Sequence, residues 1–356
     1  MRRWTPLALV AIVVLAGVLV ARGDVPCDLL GVQPACEVAL KPGPTEDTLS
    51  LVSVDGAPSY ESAGSLLLTT VAVQDDLTLR TWFNARTSRT VDAVPRSQIY
   101  PPDQDRDEVT EHNAALMADS QLVATIAALT AVGYHLEGDG ALVAALSDDV
   151  VTTDLGLGDV IVAVDGVPVR DNRDVVDAVR AKQPGATLTL DVTGPDGDRS
   201  VEVTLGRSPD NPDVPYIGVV LTTELELPVG VTIDAGLIGG PSAGLMFALS
   251  IVELLGPEDL TGGAVIAGTG TVDRDGAVGT VGGVRQKVVG ATSAEAGRAA
   301  TVFLVPRGNL SEARSAAVDR DVLLVPVDDL ADALAALTDL RAGREPVDAL
   351  ALPAGN

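Results

Sequence analysis

Lysine, histidine, cysteine and aromatic residues are all scarce in this sequence, and each shortage restricts the chemistry of the chain. The 356 residues include two histidines, His112 and His135, and two cysteines, Cys27 and Cys36. Two cysteines cannot complete a four-ligand zinc site, and both histidines are remote from them in sequence, so we expect no structural metal and no cofactor. Aromatic residues make up 3% of the chain, so its cores must consist mainly of Val, Leu and Ala.

Positive charge is the second shortage. The formal net charge is −26, and a surface of that sign repels phosphates, which excludes nucleic acid as a partner. No Gly-x-x-x-x-Gly-Lys-Ser/Thr phosphate loop occurs in the sequence, so nothing in it predicts an ATPase. The length and a hydrophobic content of 46% allow two or three packed domains. Helical and strand patterns alternate along them, which predicts a multidomain protein of the α/β (α+β) class.

An uncharged apolar run from Trp4 to Ala21 opens the chain, with arginines on both sides. Its length is close to the ~20 residues that span a bilayer, and no small-x-small cleavage site is present before Ala21. We therefore predict a transmembrane helix in residues 1–22 that anchors the chain in the cell membrane. A cleaved signal sequence, which would release a secreted protein, is the alternative. The positive charge at the amino terminus predicts an extracytoplasmic body.

The region 23–132 carries a disulfide candidate and little else that suggests chemistry. Outside the cytoplasm, Cys27 and Cys36 can close a small loop by a disulfide, with two unpaired thiols as the alternative. Alternating apolar residues predict a strand over 65–73 and a second short strand near 77–83. The pattern becomes helical from 105 to 132 and ends at Gly133. We expect this region to brace the following domains or to separate them from the membrane.

Residues 133–207 have the pattern of a small β-rich domain. Gly158-Asp159-Val160-Ile161 and Val164-Asp165-Gly166 form a strand with its turns, and a helix starts near Asn172. Residues 188–192 and 201–205 alternate as two strands of a hairpin. This arrangement resembles a bacterial PDZ domain. Residues 208–215, which contain three prolines, predict a short linker after it.

The resemblance to PDZ domains implies that this unit binds proteins or peptides by adding an extended segment as a strand. It places the peptide terminus in the loop near Tyr134, His135 and Leu136, and the groove along the helix that starts near Asn172. For His135, an ordinary strand residue is an equal alternative.

Ser242 lies in a run of small residues, Gly239-Gly240-Pro241-Ser242-Ala243-Gly244, that precedes a long apolar segment. Leu245, Leu249 and Val252 share one face at helical spacing, which places Ser242 at the N-terminus of a buried helix. Free N–H groups at such a helix end can hold an oxyanion, while an ordinary helix cap is the alternative for Ser242. A nucleophilic serine also needs a base, and neither histidine has a local signature of a Ser-His-Asp triad.

Lysine is the better candidate for that base. Lys41, Lys182 and Lys287 are the only lysines of the chain, which otherwise uses arginine. Arginine cannot lose its proton in a protein, whereas burial lowers the pKa of a lysine. Lys287 follows Val281-Gly282-Gly283-Val284 at the start of another predicted helix. A lysine on the surface of that helix is the alternative.

The two motifs around Ser242 and Lys287, with Thr269-Gly270 between them, resemble the proteolytic domain of Lon-type proteases. The resemblance covers about residues 216–340 and leaves 341–356 as a tail. It implies a Ser-Lys dyad in which Ser242 is the nucleophile, Lys287 is the general base and Thr269 orients the lysine. The turn residues that would surround the oxyanion are Gly240, Pro241, Ala243 and Gly244.

The same resemblance implies a homo-oligomer, since Lon-type domains commonly form hexameric rings. One departure concerns Ile238-Gly239, which stands where many ATP-dependent members carry Lys-Asp. We therefore expect the substrate cleft to differ from theirs.

The sequence as a whole predicts a membrane-anchored, ATP-independent serine endopeptidase. Its substrates would be flexible or unfolded extracytoplasmic proteins that the PDZ domain selects. Two alternatives stay open. One is a membrane-tethered peptide-binding scaffold with an inactive Lon-like domain, and the other is a site-specific regulatory processing protease that the PDZ domain gates.

Overall fold

The computed structural model describes Gly17 and residues 36–352, with gaps at 76, 102–105, 135, 137–139, 148–149, 153, 196, 210, 225–226 and 294–298. The predicted transmembrane helix in residues 1–22 therefore lies outside the described residues, apart from Gly17, as does Cys27. Cys36 is disulfide-bonded, and its predicted pairing with Cys27 stays a prediction.

The helices and strands of the described residues are numbered in chain order. The helices are α1 (Thr48–Leu51), α2 (Leu79–Thr87), α3 (Arg106–Ala131), α4 (Asn172–Arg180), α5 (Gly244–Leu255), α6 (Val284–Ala291), α7 (Leu310–Ala316) and α8 (Leu330–Arg341). The strands are β1 (Glu37–Asp47), β2 (Val52–Asp55), β3 (Ser65–Gln74), β4 (Asp92–Pro95), β5 (Gly140–Leu146), β6 (Val160–Val164), β7 (Val167–Pro168), β8 (Thr187–Thr193), β9 (Arg199–Thr204), β10 (Gly206–Arg207), β11 (Pro215–Tyr216), β12 (Val219–Glu224), β13 (Gly230–Ile233), β14 (Val265–Gly268), β15 (Thr271–Val272), β16 (Val278–Gly279), β17 (Val302–Pro306), β18 (Val322–Val327) and β19 (Leu350–Leu352).

The chain divides into two compact units, and the second interrupts the sequence of the first. Unit 1 consists of residues 1–133 and 229–356, and unit 2 of residues 134–228. The mixture of helices and sheets in these units confirms the predicted α/β (α+β) class.

Unit 1 is built around a seven-stranded sheet with the order β19-β18-β17-β14-β3-β1-β4. The parallel strands β14, β17 and β18 come after the interruption, whereas β3, β1 and β4 come before it. The seam is the parallel pair β3–β14, in which Leu66 lies opposite Ile266 and Leu68 opposite Gly268. Leu66 and Leu67 lie on opposite faces of β3 and are both buried, in two different hydrophobic clusters, as expected for an interior strand covered on both faces. The region before unit 2 is thus part of the sheet and not a separate brace.

Helix α5 is the centre of the unit 1 core. Its side chains are buried on almost all sides, including Met246 and Phe247, because it lies between the sheet and α3. Met117 and Ala124 of α3 belong to the same hydrophobic cluster. Within the described residues, α3 is the one helix that is long and apolar enough to cross a bilayer by length and composition. Its buried face in this cluster accounts for that apolar character.

The predicted short strand near residues 77–83 is wrong, because this segment starts α2. The Thr78 side chain accepts a hydrogen bond from the Thr81 N–H and so caps the helix. Leu77 and Ala85 are buried against Ala39 of β1. Over so few residues, strand and helix periods cannot be distinguished from the sequence, and the capping threonine decides the outcome.

Unit 2 is a six-stranded sheet covered by α4, in which five strands follow the order β12-β5-β6-β8-β9 and β7 pairs with β6. The strands β8 and β9 form the predicted hairpin, with Leu190 opposite Val201. The core of the unit consists of apolar side chains from the sheet and α4, among them Ile161 and Val175.

The boundary between the two domains differs from the predicted one. The linker was predicted at 208–215 and the Lon-type domain from 216, but unit 2 extends to Pro228. The reason is that β12 pairs along the whole of β5, with Val219 opposite Leu146 and Glu224 opposite Gly140. Ile217 is buried in the unit 2 core. This pairing joins strands far apart in sequence, which is why local patterns did not predict it.

Candidate active site

Ser242 lies on a tight turn between β13 and α5. Gly240 adopts a left-handed backbone with φ +84°, which favours glycine at that position. The helix begins at Gly244, two residues after Ser242, and its N-cap is Ala243, without a side-chain cap. The alternative interpretation of Ser242 as an ordinary helix cap is therefore wrong.

Lys287 belongs to the first turn of α6, and its amine reaches the serine. Its Nζ lies 2.6 Å from Ser242 Oγ and 2.9 Å from Thr269 Oγ1. Lys287 is only 3% exposed. The alternative of a surface lysine is thus contradicted, and the structure brings together the three residues for which the sequence predicted a common site.

Thr269 determines the direction in which the lysine amine points. Its Oγ1 donates to the Ser242 carbonyl oxygen at 3.0 Å, so the same oxygen can only accept from Lys287 Nζ. The Gly270 N–H also donates to the Ser242 carbonyl, at 3.0 Å. One N–H of Lys287 is occupied by Thr269, and the lone pair of a neutral amine can then face the Ser242 hydroxyl.

Burial changes the acidity of Lys287. It lowers the pKa of the amine from 10.5 to about 8, because the charged form loses its hydration. A lysine with such a pKa is substantially neutral in weakly alkaline solution, and so it can accept the proton of a hydroxyl. Both the short distance to Ser242 and the lowered pKa are properties that a general base at this position would need.

A cleft of about 480 Å³ opens onto the serine and the lysine. Leu237 at its edge is fully exposed, whereas Met117 of α3 is buried. The cleft is lined mainly by apolar side chains and backbone, contributed by Pro44, Leu68, Thr69, Thr70, Val71, Met117, Leu237, Ile238, Gly239, Gly240, Ser242, Ala243, Gly282 and Lys287. It can accommodate an extended segment with apolar side chains.

The turn residues predicted around the oxyanion do not contribute equally. The Gly240 N–H donates to the Asn113 carbonyl oxygen at 2.9 Å, and Pro241 has no N–H. The Gly244 N–H makes a long bond of 3.4 Å to the Pro241 carbonyl. Within the described part of the chain, the N–H groups of Ser242 and Ala243 make no backbone hydrogen bond, so they are the groups that can bind an oxyanion.

Unit 2 has a separate groove between α4 and β12. The groove has a volume of about 200 Å³ and an apolar lining that includes Val175, Val176 and Val179 of α4. Residues 215–219 line its other side, with a left-handed Gly218 at φ +86°. Since β12 is the outermost strand of the sheet, its free edge can pair with an extended peptide.

The predicted peptide loop lies elsewhere in unit 2. Tyr134 and Leu136 are not among the residues that line the groove, and His135 lies outside the described residues. The segment Tyr216-Ile217-Gly218-Val219 lies at the groove, whereas the sequence prediction assigns it to the start of the Lon-type domain. The sequence signal that could have located the groove here is a glycine between apolar residues directly before a strand.

A charged side chain in the groove should weaken peptide binding. Val176 lines the groove and is 36% exposed, so Val176→Asp should leave the fold intact. Affinity for fluorescein-labelled peptides with apolar carboxyl-terminal residues should fall by about tenfold or more, because the carboxylate must be buried without a partner. Fluorescence anisotropy with the full-length chain measures this effect. Val167→Asp, at a 66% exposed position outside the groove, is the matched control, and equal losses in both variants would contradict the assignment.

Two family models match the chain. Residues 224–338 match the Lon protease (S16) C-terminal proteolytic domain. Residues 131–205 match the PDZ domain. The chain therefore combines a serine-peptidase domain of the Lon type with a PDZ domain that binds peptides or proteins. Most of the region before residue 131, including β1, β3 and α3, lies outside both matches.

Three solved structures that are similar to the chain each cover 23–25% of it. The PDZ domain of an SdrC-like protein from Listeria monocytogenes is 26% identical over 25% of this chain and 93% of that one, with a TM-score of 0.23. The corresponding domain from Listeria innocua is 22% identical over 23% and 93%, with a TM-score of 0.22. A protein from Geobacillus thermodenitrificans is 26% identical over 23% and 95%, with a TM-score of 0.21. The curated proteins contain no match to this chain.

Proposed function

We propose that this protein is a serine endopeptidase in which Ser242 is the nucleophile and neutral Lys287 is the general base. The observation that carries the proposal is the buried lysine amine 2.6 Å from the serine hydroxyl. An inactive scaffold would have no need of a buried lysine held between two hydroxyl groups, which disfavours that alternative.

In the proposed mechanism, Lys287 accepts the proton of Ser242 as the serine oxygen attacks the scissile carbonyl carbon. The N–H groups of Ser242 and Ala243 stabilise the negative charge that develops on the carbonyl oxygen. The protonated Lys287 then donates its proton to the leaving amine, which breaks the peptide bond. Water, deprotonated by the same lysine, hydrolyses the acyl-enzyme. Thr269 keeps the amine aimed at the serine throughout.

The proposed substrates are flexible or unfolded segments of extracytoplasmic proteins, cleaved without ATP. The sequence has no phosphate-loop motif, and an extended segment is the form that fits both the cleft and a free strand edge. The PDZ domain would select substrates or, in the regulatory alternative, gate the protease.

We further propose a single-pass cell-membrane protein with an extracytoplasmic body. The apolar run at residues 4–21 supports it, and a disulfide at Cys36 suits an oxidising compartment. A homo-oligomer, with a hexameric ring as the form that the Lon resemblance implies, belongs to the same proposal.

The direct test uses the full-length chain purified in detergent and a Ser242→Ala variant. Each is incubated with unfolded casein, with and without ATP, and new peptide termini are identified by mass spectrometry. Cleavage by the parent alone, unchanged by ATP, is the expected result. Equal cleavage by Ser242→Ala, or cleavage that requires ATP, would overturn the proposal.

The rate should rise with pH around the pKa of Lys287. Only the neutral amine accepts the serine proton, and burial lowers that pKa to about 8, so kcat/KM should be low at pH 6 to 7 and increase with a midpoint of about 8. A fluorogenic peptide assay in detergent measures the profile. The exposed-lysine variant Lys182→Gln should retain the same midpoint. A rate that is constant over this range, or one that falls, would exclude Lys287 as the base.

A further inference from the structure

Helix α3, which precedes the PDZ domain, holds the backbone of the serine turn at two points. Its Asn113 carbonyl oxygen accepts the Gly240 N–H at 2.9 Å. Its Ser120 Oγ donates to the Pro241 carbonyl oxygen at 3.1 Å, and Ser120 is 5% exposed. These contacts fix the two residues that immediately precede Ser242.

Glycines on both sides of the turn allow the helix to approach this closely. A Cβ atom on Gly239 would lie 3.1 Å from the Asn113 Cβ, and one on Gly244 would lie 3.0 Å from Ser120 Oγ. Both distances are shorter than ordinary van der Waals contacts. A side chain at position 239 would press on α3 at Asn113, so the glycine at this position permits the close approach of the helix.

We infer that Ser120 is a positioning residue for Ser242, supplied by a helix that neither family model covers. The inference rests on the proposed function. Ser120 does not line the cleft, so it acts through the Pro241 carbonyl and not on the substrate. Without its hydroxyl, that carbonyl loses its partner in a nearly dry environment, and the turn no longer holds Ser242 in one place relative to Lys287.

Loss of the Ser120 hydroxyl should affect kcat and not KM. Ser120→Ala should lower kcat by about tenfold to a hundredfold, the range for a misplaced reacting group, with KM unchanged. The midpoint of the pH profile should also stay in place, because the surroundings of Lys287 are not altered. A merely structural role would instead lower the thermal unfolding temperature and leave kcat per folded molecule as it was.

The matched control is Thr125→Val. Thr125 is also buried on α3, but its hydroxyl donates to the Gln121 carbonyl of the same helix. Removing it should perturb the helix to a similar extent without touching the turn, so its kcat should equal that of the parent. Gly239→Ala is a second variant that should lower kcat in the same way. Its added methyl group would press on Asn113, and alanine fits the backbone at position 239 because that residue is not left-handed.

The experiment measures kcat and KM for a fluorogenic peptide with full-length variants in detergent, together with the rate at which a fluorophosphonate labels Ser242. The expected result is a parallel loss of turnover and labelling in Ser120→Ala and Gly239→Ala, with Thr125→Val like the parent. Normal turnover in Ser120→Ala, or an equal loss in Thr125→Val, would overturn the inference alone. A parent that neither cleaves nor reacts would overturn the proposed function as well.

Discussion

Lys287→Arg should be inactive, with kcat reduced by about a thousandfold or more, as expected when one member of a catalytic pair is lost. The guanidinium keeps its proton at every accessible pH, so it cannot take the proton of Ser242. The positive charge is retained, which separates proton transfer from simple electrostatic attraction. The measurement is the turnover of a fluorogenic peptide by the full-length variant, compared with its thermal unfolding.

Because arginine is larger than lysine and position 287 is buried, Lys287→Met is the companion variant. It should be equally inactive, yet more stable than the parent at neutral pH by about 1 to 3 kcal/mol, since the parent must keep an amine with a lowered pKa in a buried site. The sign and the approximate size of this stability difference follow from the pKa values of Lys287 in the unfolded and the folded chain. The unfolded chain binds this proton up to about pH 10.5 and the folded chain only up to about 8, so the advantage of Met should shrink between these values.

The control for these variants is Lys182→Arg. Lys182 is partly exposed and pairs with Asp165, a contact that arginine can also make. This variant should retain full activity. Substantial turnover by Lys287→Arg, with the pH midpoint of the parent, would show that another group is the base.

Residues 229–356 expressed alone should not fold, although they contain Ser242, Thr269 and Lys287. Without the first part of unit 1, β14 loses its pairing with β3 and the core loses Leu66 and Leu68. Circular dichroism and heat denaturation should show no cooperative transition for this fragment. Residues 134–228 should fold alone, because their sheet and apolar cluster are complete within the unit.

The two parts of unit 1 should fold together when they are supplied as separate chains. Residues 36–133 co-expressed with 229–356 should restore a folded unit, since β3 can pair with β14 from a separate chain. A cooperative transition for 229–356 alone would contradict the assignment of β3 and α3 to this unit.

Local patterns predicted the elements that depend on nearby residues. The buried helix after Ser242, the hairpin around residues 194–197 and the helix near Asn172 all have turn or capping residues in sequence beside them. The motifs also indicated the three residues Ser242, Thr269 and Lys287, which the structure places within hydrogen-bond distance. Their chemical roles stay a proposal.

The features that local patterns did not predict all depend on contacts between distant residues. The pairing of β12 with β5 decides where unit 2 ends and where its groove lies. The pairing of β3 with β14 joins the region before unit 2 to the proteolytic unit. Neither pairing has a periodic signal, because register between remote strands depends on the whole fold. The hydrogen bond from Ser120 to the Pro241 carbonyl oxygen also joins residues that are distant in sequence.

The insertion of one unit in the other also orders events during synthesis. A ribosome completes residues 134–228 before it makes β14, Ser242 or Lys287, and domains generally fold as units from the amino terminus during translation. The PDZ domain can therefore be complete while β3 still lacks its parallel partner β14 and α3 still lacks α5, the helix against which it packs. No growing chain can have an assembled serine and lysine before its recognition domain has been made. The order of the sequence thus delays the assembly of the serine and lysine site until the last third of the chain has emerged.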